Sequence, residues 1–589
     1  MSEAEGIDEQ TDAPRFGSAK RLITAWLLIT TLFWGASASW LIYSAQADAR
    51  AGEAAIRSVA NLDDPAEVDL ETTAAALASG KADLEEARES LASPLLAPLG
   101  PVPIVGRQLE SAEAMVIVTD DLVAVLEPLL TSAQSFRDDP NGVDRVAFLR
   151  DVGTRLEDLD AVINEADLGP STDLVPALAD GRGELSQRLI DLRRQARSYA
   201  AIANGMAEFL DGSSYLLAGA NNAEMRIGSG MFLSIGRFET LDGEFDLPGL
   251  TPSSEFAPIT GAPIVDPDMA RMWGFTSLSS DFRGLGYSAR FDEHLGPQAL
   301  ELWEASTGEK LDGVLMVDPF VLDALLGVIG DVEVDGRAFR QGEALDYLVR
   351  GQYAVFNSDE VEERQDLLSI LAAAVVEKLG SSSWDPIELL RQLEPVANSR
   401  HIMAYSIDPV QQAAWEAMGI TGSLSGEQTA VFLLNHGGSK LDTVMEIDVD
   451  ATTARVGSTT TVSYDILVTN NASAGLPEYV IGPWESLDLP RAGTYLGRVA
   501  VYAPGTATDL GFGYGVRSDA AGSDGPVEVV ASEFIELGPG QTRRFRFGYT
   551  LPADDEAIDL LPSGRFPAVE WNWNGTDFND AAPRVIDIN

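Results

Sequence analysis

Between residues 48 and 210, apolar positions recur at the spacing of an α-helix. Two series step by three and four residues: Leu149, Val152, Leu156, Leu159 and Ile163, and then Leu185, Leu189, Leu192, Ala196 and Tyr199. Each series makes one apolar stripe along a helix that is polar on its opposite face. The prolines of "SPLLAPLGPVPIVG" interrupt the pattern, because a helix interior does not tolerate them. We therefore predict an α-helical bundle or coiled-coil stalk of about four helices over residues 48–210.

From Tyr215 onward, short apolar runs alternate with helical segments. "YLLAGA" and "LDGVLMV" have the pattern of buried strands, and "MFLSIGRFETLDGEFDL" that of a hairpin turning at Asp242-Gly243. "DPFVLDALLGVIG" predicts a helix that ends at Gly330. Strands that alternate with helices indicate an α/β or α+β core domain, which we place at residues 211–438.

The last part of the chain carries a third pattern. Runs such as "TTTVSYDILVTN", "GRVAVYAP" and "TRRFRFGYTL" are typical of strands, and Gly, Pro and Asn turns separate them. No helical stripe intervenes. This pattern predicts a C-terminal β-sandwich domain over residues 439–589.

Residues 22–47 contain no charged side chain, and Arg15, Lys20 and Arg21 precede them. A helix of this length spans a hydrocarbon core of about 30 Å. The basic flank places the tail, residues 1–21, in the cytoplasm and the rest of the chain outside. The alternative is a cleaved signal peptide, whose apolar region is typically shorter, at about 7–15 residues. We expect an uncleaved single transmembrane helix in the cell membrane.

The composition of the chain argues against several classes of binding site and reaction. The net charge of −52 opposes binding to nucleic acid, whose phosphates it repels. The chain has no cysteine, so disulfides, thiolate metal sites and a cysteine nucleophile are excluded. His294, His401 and His436 lie far apart in sequence and lack metal-ligand spacing. We therefore expect no cofactor and no zinc site.

The segment "VRGQYAVFNSDEVEERQ" contains the first candidate site. Arg364 lies four residues before Leu368 and extends the apolar face of the following helix. Asp359 is placed to cap this helix, whose N-terminus disfavours a cation. Arg364 therefore needs an anion nearby. That anion is either Glu360, in an ordinary side-chain pair, or a phosphate or carboxylate ligand held jointly with Arg350.

A second polar cluster, "ANNAEMRIGSGMF", directly follows the first predicted strand of the core domain. Ligand sites gather at strand ends, so Arg226 is a candidate anion-binding residue, with Asn221, Asn222 and Glu224 as supporting polar groups. The alternative is a polar turn whose asparagines bond to their own backbone.

Four motifs follow the "PVPIVG" break in order: "NNAEMRIGSGMF", "LDGVLMVDP", "SRHIMAYSIDPVQQAAW" and "VFLLNHGGSKLD". With these four motifs in this order, the chain resembles the actinobacterial members of domain-of-unknown-function family 4012. The resemblance extends over nearly all residues after 20. The resemblance implies a single-pass envelope protein with its bulk outside the cell. It implies no settled activity.

"ALDYLVRGQYAVFNSDEVEERQ" is similar to a segment of the LytR-CpsA-Psr phosphotransferases, which move glycopolymers from polyprenyl-pyrophosphate carriers to the cell wall. The similarity implies that Arg350, Asp359, Arg364 and Gln365 form a pyrophosphate clamp in a LytR-CpsA-Psr-like core domain. The chain departs from that family at Gln352, where a second arginine is frequent, and nothing in it matches the "PRD" element.

Two functions follow from these patterns. The first is an extracytoplasmic scaffold or binding role, with a cell-wall glycopolymer, a polyprenyl phosphate or an envelope protein as candidate partner. The alternative is a glycopolymer phosphotransferase or polyprenyl-pyrophosphate-binding protein in cell-wall assembly.

Overall fold

A computed structural model describes residues 70–138, 144–259, 266–276, 280–355, 361–382, 384, 386–482, 491–513 and 515–588. The predicted cytoplasmic tail, the predicted transmembrane helix at 22–47 and the candidate cap Asp359 lie outside these residues. Within the described residues, no helix has both the length and the apolar character needed to cross a membrane.

The chain is multi-domain and forms two compact units. The first contains the described residues up to Gln134 together with Arg155–Arg197. The second contains Ser135–Thr154 and the chain from Ser198 onward. Between residues 70 and 211, the described part of the chain forms four long helices: α1 (Leu70–Leu91), α2 (Pro103–Asp138), α3 (Arg145–Glu165) and α4 (Pro176–Asp211).

The two predicted apolar series lie in α3 and α4. Leu156 and Leu159 of α3 are buried, and burial of such a stripe supplies most of the stability of a packed helix. In the first unit, the Asp160 carboxylate accepts a hydrogen bond from the Nε of Arg193 and another from the Nε of Arg197, both at 2.8 Å. These exposed bonds fix the pairing of α3 with α4 and contribute little to stability.

The second unit contains a mixed sheet in the order β3-β2-β1-β5-β8, with β4 paired to β2. Its strands and those of the separate β6–β7 hairpin are β1 (Gly212–Met225), β2 (Gly230–Leu241), β3 (Glu244–Asp246), β4 (Thr251–Pro252), β5 (Gly313–Val317), β6 (Val332–Val334), β7 (Arg337–Phe339) and β8 (Ile402–Ser406). The central strand β1 runs antiparallel to β2 and parallel to β5. Leu216 and Leu217 pack into different apolar clusters, which explains the continuous apolar run of this strand.

Helices cover this sheet and form, with it, the core domain of the second unit. They are α5 (Pro267–Trp273), α6 (Gly296–Thr307), α7 (Pro319–Ile329), α8 (Glu343–Asp346), α9 (Gln352–Val355), α10 (Val361–Ser381), α11 (Pro386–Asn398) and α12 (Pro409–Ala417). A π-helical turn, Tyr347–Gly351, connects α8 to α9. Helix α7 begins at the cap Asp318 and ends before Gly330, at the position that the sequence predicts.

Two further sheets of the second unit share one apolar core and form a sandwich. Their orders are β13-β17-β11-β10-β19-β20 and β14-β15-β12-β9-β18-β21, with β16 paired to β12. The elements are β9 (Gln428–Asn435), β10 (Met445–Val456), β11 (Thr459–Asn470), the short helix α13 (Glu478–Ile481), β12 (Tyr495–Ala503), β13 (Thr508–Phe512), β14 (Ser518–Asp524), β15 (Val527–Ser532), β16 (Ile535–Leu537), β17 (Thr542–Pro552), β18 (Ala557–Leu560), β19 (Glu570–Trp573), β20 (Thr576–Asn579) and β21 (Arg584–Asp587).

The predicted boundary between the core domain and the sandwich, at residues 438/439, needs correction. Strand β9 precedes that boundary, yet it pairs with β12 and β18 inside the sandwich. The reason is that "QTAVFLLN" is a continuous apolar run. Such a run marks a buried strand without showing which sheet the strand joins.

Candidate functional site

A cavity of about 630 Å³ lies between the six-stranded sheet and the helices α7 and α10 of the second unit. Its apolar wall has contributions from β1, β2, β5, α7, α10 and the turns between them: Leu217, Met231, Leu233, Leu250, Val317, Leu322, Leu348, Leu368 and Ala372. Side chains two apart on a strand, or four apart on a helix, share one face. This spacing places Leu217 and Gly219 on one wall and Leu368 and Ala372 on the other.

One end of the cavity is polar and contains Arg364, which stands in the first turn of α10. Its Nη1 donates to Oε1 of Gln352 at 3.2 Å, and its Nη2 donates to the hydroxyl of Tyr479 at 3.2 Å. The guanidinium carbon lies 5.6 Å from the ring centroid of Tyr353 and 5.2 Å from that of Tyr479. We call Arg364, Gln352, Tyr353 and Tyr479 the Arg364 cluster.

The Arg364 cluster holds a buried positive charge with neutral partners. The side chain of Arg364 is buried, and no carboxylate in the described part of the chain lies within ion-pair distance of it. Both hydrogen-bond acceptors, an amide and a hydroxyl, are uncharged. Two aromatic faces offer a cation about 0.5–2 kcal/mol each, which does not replace a counter-charge. The N-terminal end of α10 adds further positive potential. Within the described residues, the site therefore presents a buried cation to an anion, while Glu360, the alternative partner that the sequence suggests for Arg364, lies outside them.

Beside the Arg364 cluster, the cavity wall contains a buried ion pair. The Nζ of Lys440 lies 2.5 Å from Oε1 of Glu224, and each side chain is 5% exposed. Burial by itself lowers the pKa of the Lys440 ammonium, but the Glu224 carboxylate raises it, and the net pKa lies above its ordinary value. Lys440 is therefore charged at neutral pH and is already neutralised by Glu224.

Asn221 and Tyr353 complete the polar end. The Tyr353 hydroxyl donates to Oδ1 of Asn221 at 3.3 Å. Burial raises the pKa of this hydroxyl, so it remains a protonated donor at neutral pH. Gln365 also borders the cavity. Of the residues predicted from the sequence, the structure thus brings Asn221, Glu224, Arg364 and Gln365 together.

Arg350 does not border this cavity, so the structure does not bring the two predicted arginines together there. Leu348 and Gln352 both line the cavity from one face of the helical turn. Arg350 lies midway between them in sequence, which rotates it by about 200° to the other side of the turn. Its Nη2 donates to the carbonyl oxygen of Thr443 at 3.0 Å, and its guanidinium lies 4.9 Å from the ring centroid of Phe566.

Arg226 and Asn222 also lie away from the cavity. The β1–β2 ladder is irregular between Asn221 and Met225, so neighbouring side chains there diverge. Arg226 is buried, donates to the carbonyl oxygens of Met225 and Asn435, and lies 5.4 Å from the ring centroid of Tyr287. It therefore joins β1 to the sandwich strand β9.

The Asn222 side chain has a structural role. Its Nδ2 donates to the Asp318 carboxylate at 2.8 Å. The same carboxylate lies 2.6 Å from Nδ1 of His401 and accepts from the backbone nitrogen of Phe320 at 2.9 Å. These contacts fix the start of α7 against β1 and β8, and they leave Asp318 saturated at the cavity border.

Sequence reasoning missed Lys440, Tyr353 and Tyr479 as site residues. Lys440 lies in the motif "VFLLNHGGSKLD". Because the chain is strongly acidic, a lysine that directly follows a buried strand could have been selected as a candidate site residue. Gln352, which appears only as a departure from the phosphotransferase pattern, is a direct partner of Arg364. No local pattern marks Tyr479, which reaches the cluster from α13 of the sandwich.

A comparison with protein families finds a match in the part of the chain that forms the sheet side of this cavity. Residues 211–353 match the family model DUF4012. That family is described as a protein of unknown function. The DUF4012 segment includes β1, β2 and Tyr353, whereas Arg364, Lys440 and Tyr479 lie beyond it. No curated protein and no solved structure matches the chain.

Proposed function

We propose that the protein is a single-pass membrane protein whose exterior binds an amphiphile, with the apolar chain in the cavity and the anionic head at Arg364. Polyprenyl phosphate esters of the cell envelope, as a class that includes monoesters and diesters, combine these two parts, and they are the ligand class that we propose. The observation that carries the proposal is a buried guanidinium, at the end of an apolar cavity, that has no carboxylate partner among the residues that the structure describes.

The size and lining of the cavity support a chain-like apolar ligand. Its volume of about 630 Å³ lies within the range of small-molecule sites, about 300–1,000 Å³. Leucines dominate its walls, and the charged groups are confined to a few side chains. Such a division orients a ligand that is apolar along most of its length and charged at one end.

The arrangement favours binding over phosphoryl transfer. Phosphoryl transfer needs several cations around the phosphates to stabilise the charge of the transition state. Arg226 and Arg350 bond elsewhere in the second unit, and Lys440 is neutralised by Glu224. A scaffold role, in which the cavity has no ligand, is the remaining alternative.

A cavity-filling variant tests the proposal. The parent chain, purified in detergent, should bind a polyprenyl phosphate analogue in a calorimetric titration. Ala372→Trp places an indole in the cavity and should weaken binding at least tenfold. The control is Ile370→Trp on the same helix, which is 48% exposed and should bind as the parent does. If the parent binds no analogue, the amphiphile proposal fails and the scaffold role remains.

The anchor is a separate part of the proposal, supported by the charge-free residues 22–47 and their basic N-terminal flank. Protease added to intact protoplasts should digest the second unit and spare only a short N-terminal fragment. Protection of the sandwich from the protease, under conditions that digest a known exterior protein, would contradict the proposed orientation.

A further inference from the structure

The charges that line the cavity define the head group that it accepts. Among the described lining residues, the ionisable acids and bases are Glu224, Arg283, Asp318, Arg364 and Lys440. Which of them is available to a ligand depends on the partner that each already has.

Four of these five side chains already have partners within the protein: two of the three cations are ion-paired, and the Asp318 carboxylate is saturated by hydrogen bonds. Lys440 pairs with Glu224 at 2.5 Å. Arg283 donates twice to the Asp281 carboxylate, at 3.0 and 2.6 Å. The Asp318 carboxylate accepts from the Asn222 amide and the Phe320 nitrogen and contacts the His401 imidazole.

Arg364 is the remaining cation, and its two hydrogen-bond acceptors among the described residues are neutral. The described lining therefore offers a ligand one cation that has no carboxylate partner among the described residues. From this count we infer that the cavity selects an amphiphile whose head carries a single negative charge, namely a carboxylate or a phosphodiester. This inference rests on the proposed function and specifies its ligand class.

A head with more charge fits the site poorly. A phosphomonoester carries about −1.5 to −2 charges at pH 7, and a pyrophosphate carries more. The additional negative charge of such a head group would lie in a desolvated site near the Glu224 carboxylate, and like charges repel strongly there. Lys440 cannot supply the missing charge without leaving Glu224 buried and unpaired, which is the costly outcome for a buried ion pair.

Arg364 also has the geometry for a single oxyanion. The planar guanidinium can bind two oxygens of one carboxylate or one phosphodiester in parallel. The rings of Tyr353 and Tyr479 lie 5.8 Å apart and nearly parallel, and both lie beside the guanidinium. These contacts fix the position of Arg364 before the ligand arrives, which reduces the entropy lost on binding.

The test compares head groups at constant chain length on the full chain in detergent. The three probes have the same polyprenyl chain and end in a carboxylate, a phosphodiester or a pyrophosphate. At least one singly charged probe should bind about tenfold or more tightly than the pyrophosphate, and the tighter of the two identifies the source of the head group. Tighter binding of the pyrophosphate than of both would overturn the inference while leaving the proposed function intact. If none of the three binds, both are wrong.

Two variants connect the selectivity to the charge count. Glu224→Gln removes one negative charge from the cavity wall and should improve pyrophosphate binding by about tenfold relative to the phosphodiester, a gain of about 1.4 kcal/mol. The matched control is Glu224→Gln combined with Lys440→Met, which removes both charges of the pair and should keep the selectivity of the parent. An unchanged preference in Glu224→Gln would show that local charge does not set the selectivity and would overturn the inference.

Discussion

Replacing Lys440 by methionine should lower the free energy of unfolding of the second unit by about 3–5 kcal/mol, the usual cost of breaking a buried ion pair from one side. The substitution leaves the Glu224 carboxylate buried without its counter-charge. Urea unfolding followed by tryptophan fluorescence measures the change, because Trp571 and Trp573 are buried in the sandwich.

The combined variant Glu224→Gln with Lys440→Met should recover most of this loss, because no buried charge then remains unpaired. Lys310→Met is the matched surface control: Lys310 pairs with Glu304 but is 81% exposed, so its removal should change little. If Lys440→Met were as stable as the parent, the pair would not be buried in solution.

The Lys440–Glu224 pair also limits the pH range in which the second unit keeps its full stability. The folded pKa of Lys440 is raised, so its stabilising contribution is complete below the ordinary lysine pKa of 10.5 and is lost as the pH rises through the folded value. Above neutral pH, the difference in stability between the parent and the combined variant should therefore begin to change in strongly alkaline solution.

Arg364→Ala should weaken binding of the ligand by about tenfold or more, since hydrogen bonds to charged groups contribute about 1.5–3 kcal/mol and tenfold corresponds to about 1.4 kcal/mol. The alanine removes the one cavity cation in the described structure that has no carboxylate partner. Arg364→Lys should restore part of the affinity, because an ammonium keeps the charge and lacks the planar fork. Titration with a polyprenyl phosphodiester measures all three proteins.

Arg350→Ala is the control for this experiment. Arg350 bonds to Thr443 and lies on Phe566, away from the cavity, so its alanine variant should bind as the parent does. Equal losses in the two alanine variants would instead favour a clamp built by both arginines and would contradict the geometry described above.

Sequence patterns were sufficient for the elements whose determinants are local. The apolar steps of α3 and α4, the cap at Asp318 and the stop at Gly330 depend on residues within one or two turns of each other. The position of Arg364 on the inner face of α10 also followed from its spacing to Leu368. These features could be predicted because helical and strand periods alone decide which side chains share a face.

The site depended on tertiary structure. Arg350 and Arg364 are 14 residues apart in sequence and look like a pair, but the phase of one helical turn separates them. Lys440 and Tyr479 come from a different domain and complete the polar end, and Glu224 reaches the cavity through an irregularity in β1. Whether a buried charge has a counter-charge depends on such long-range partners. The periodicity of a single helix or strand does not show which distant residues these are. The sequence alone therefore determined the candidate arginine, and only the folded chain decided that this arginine has no carboxylate partner among the described residues.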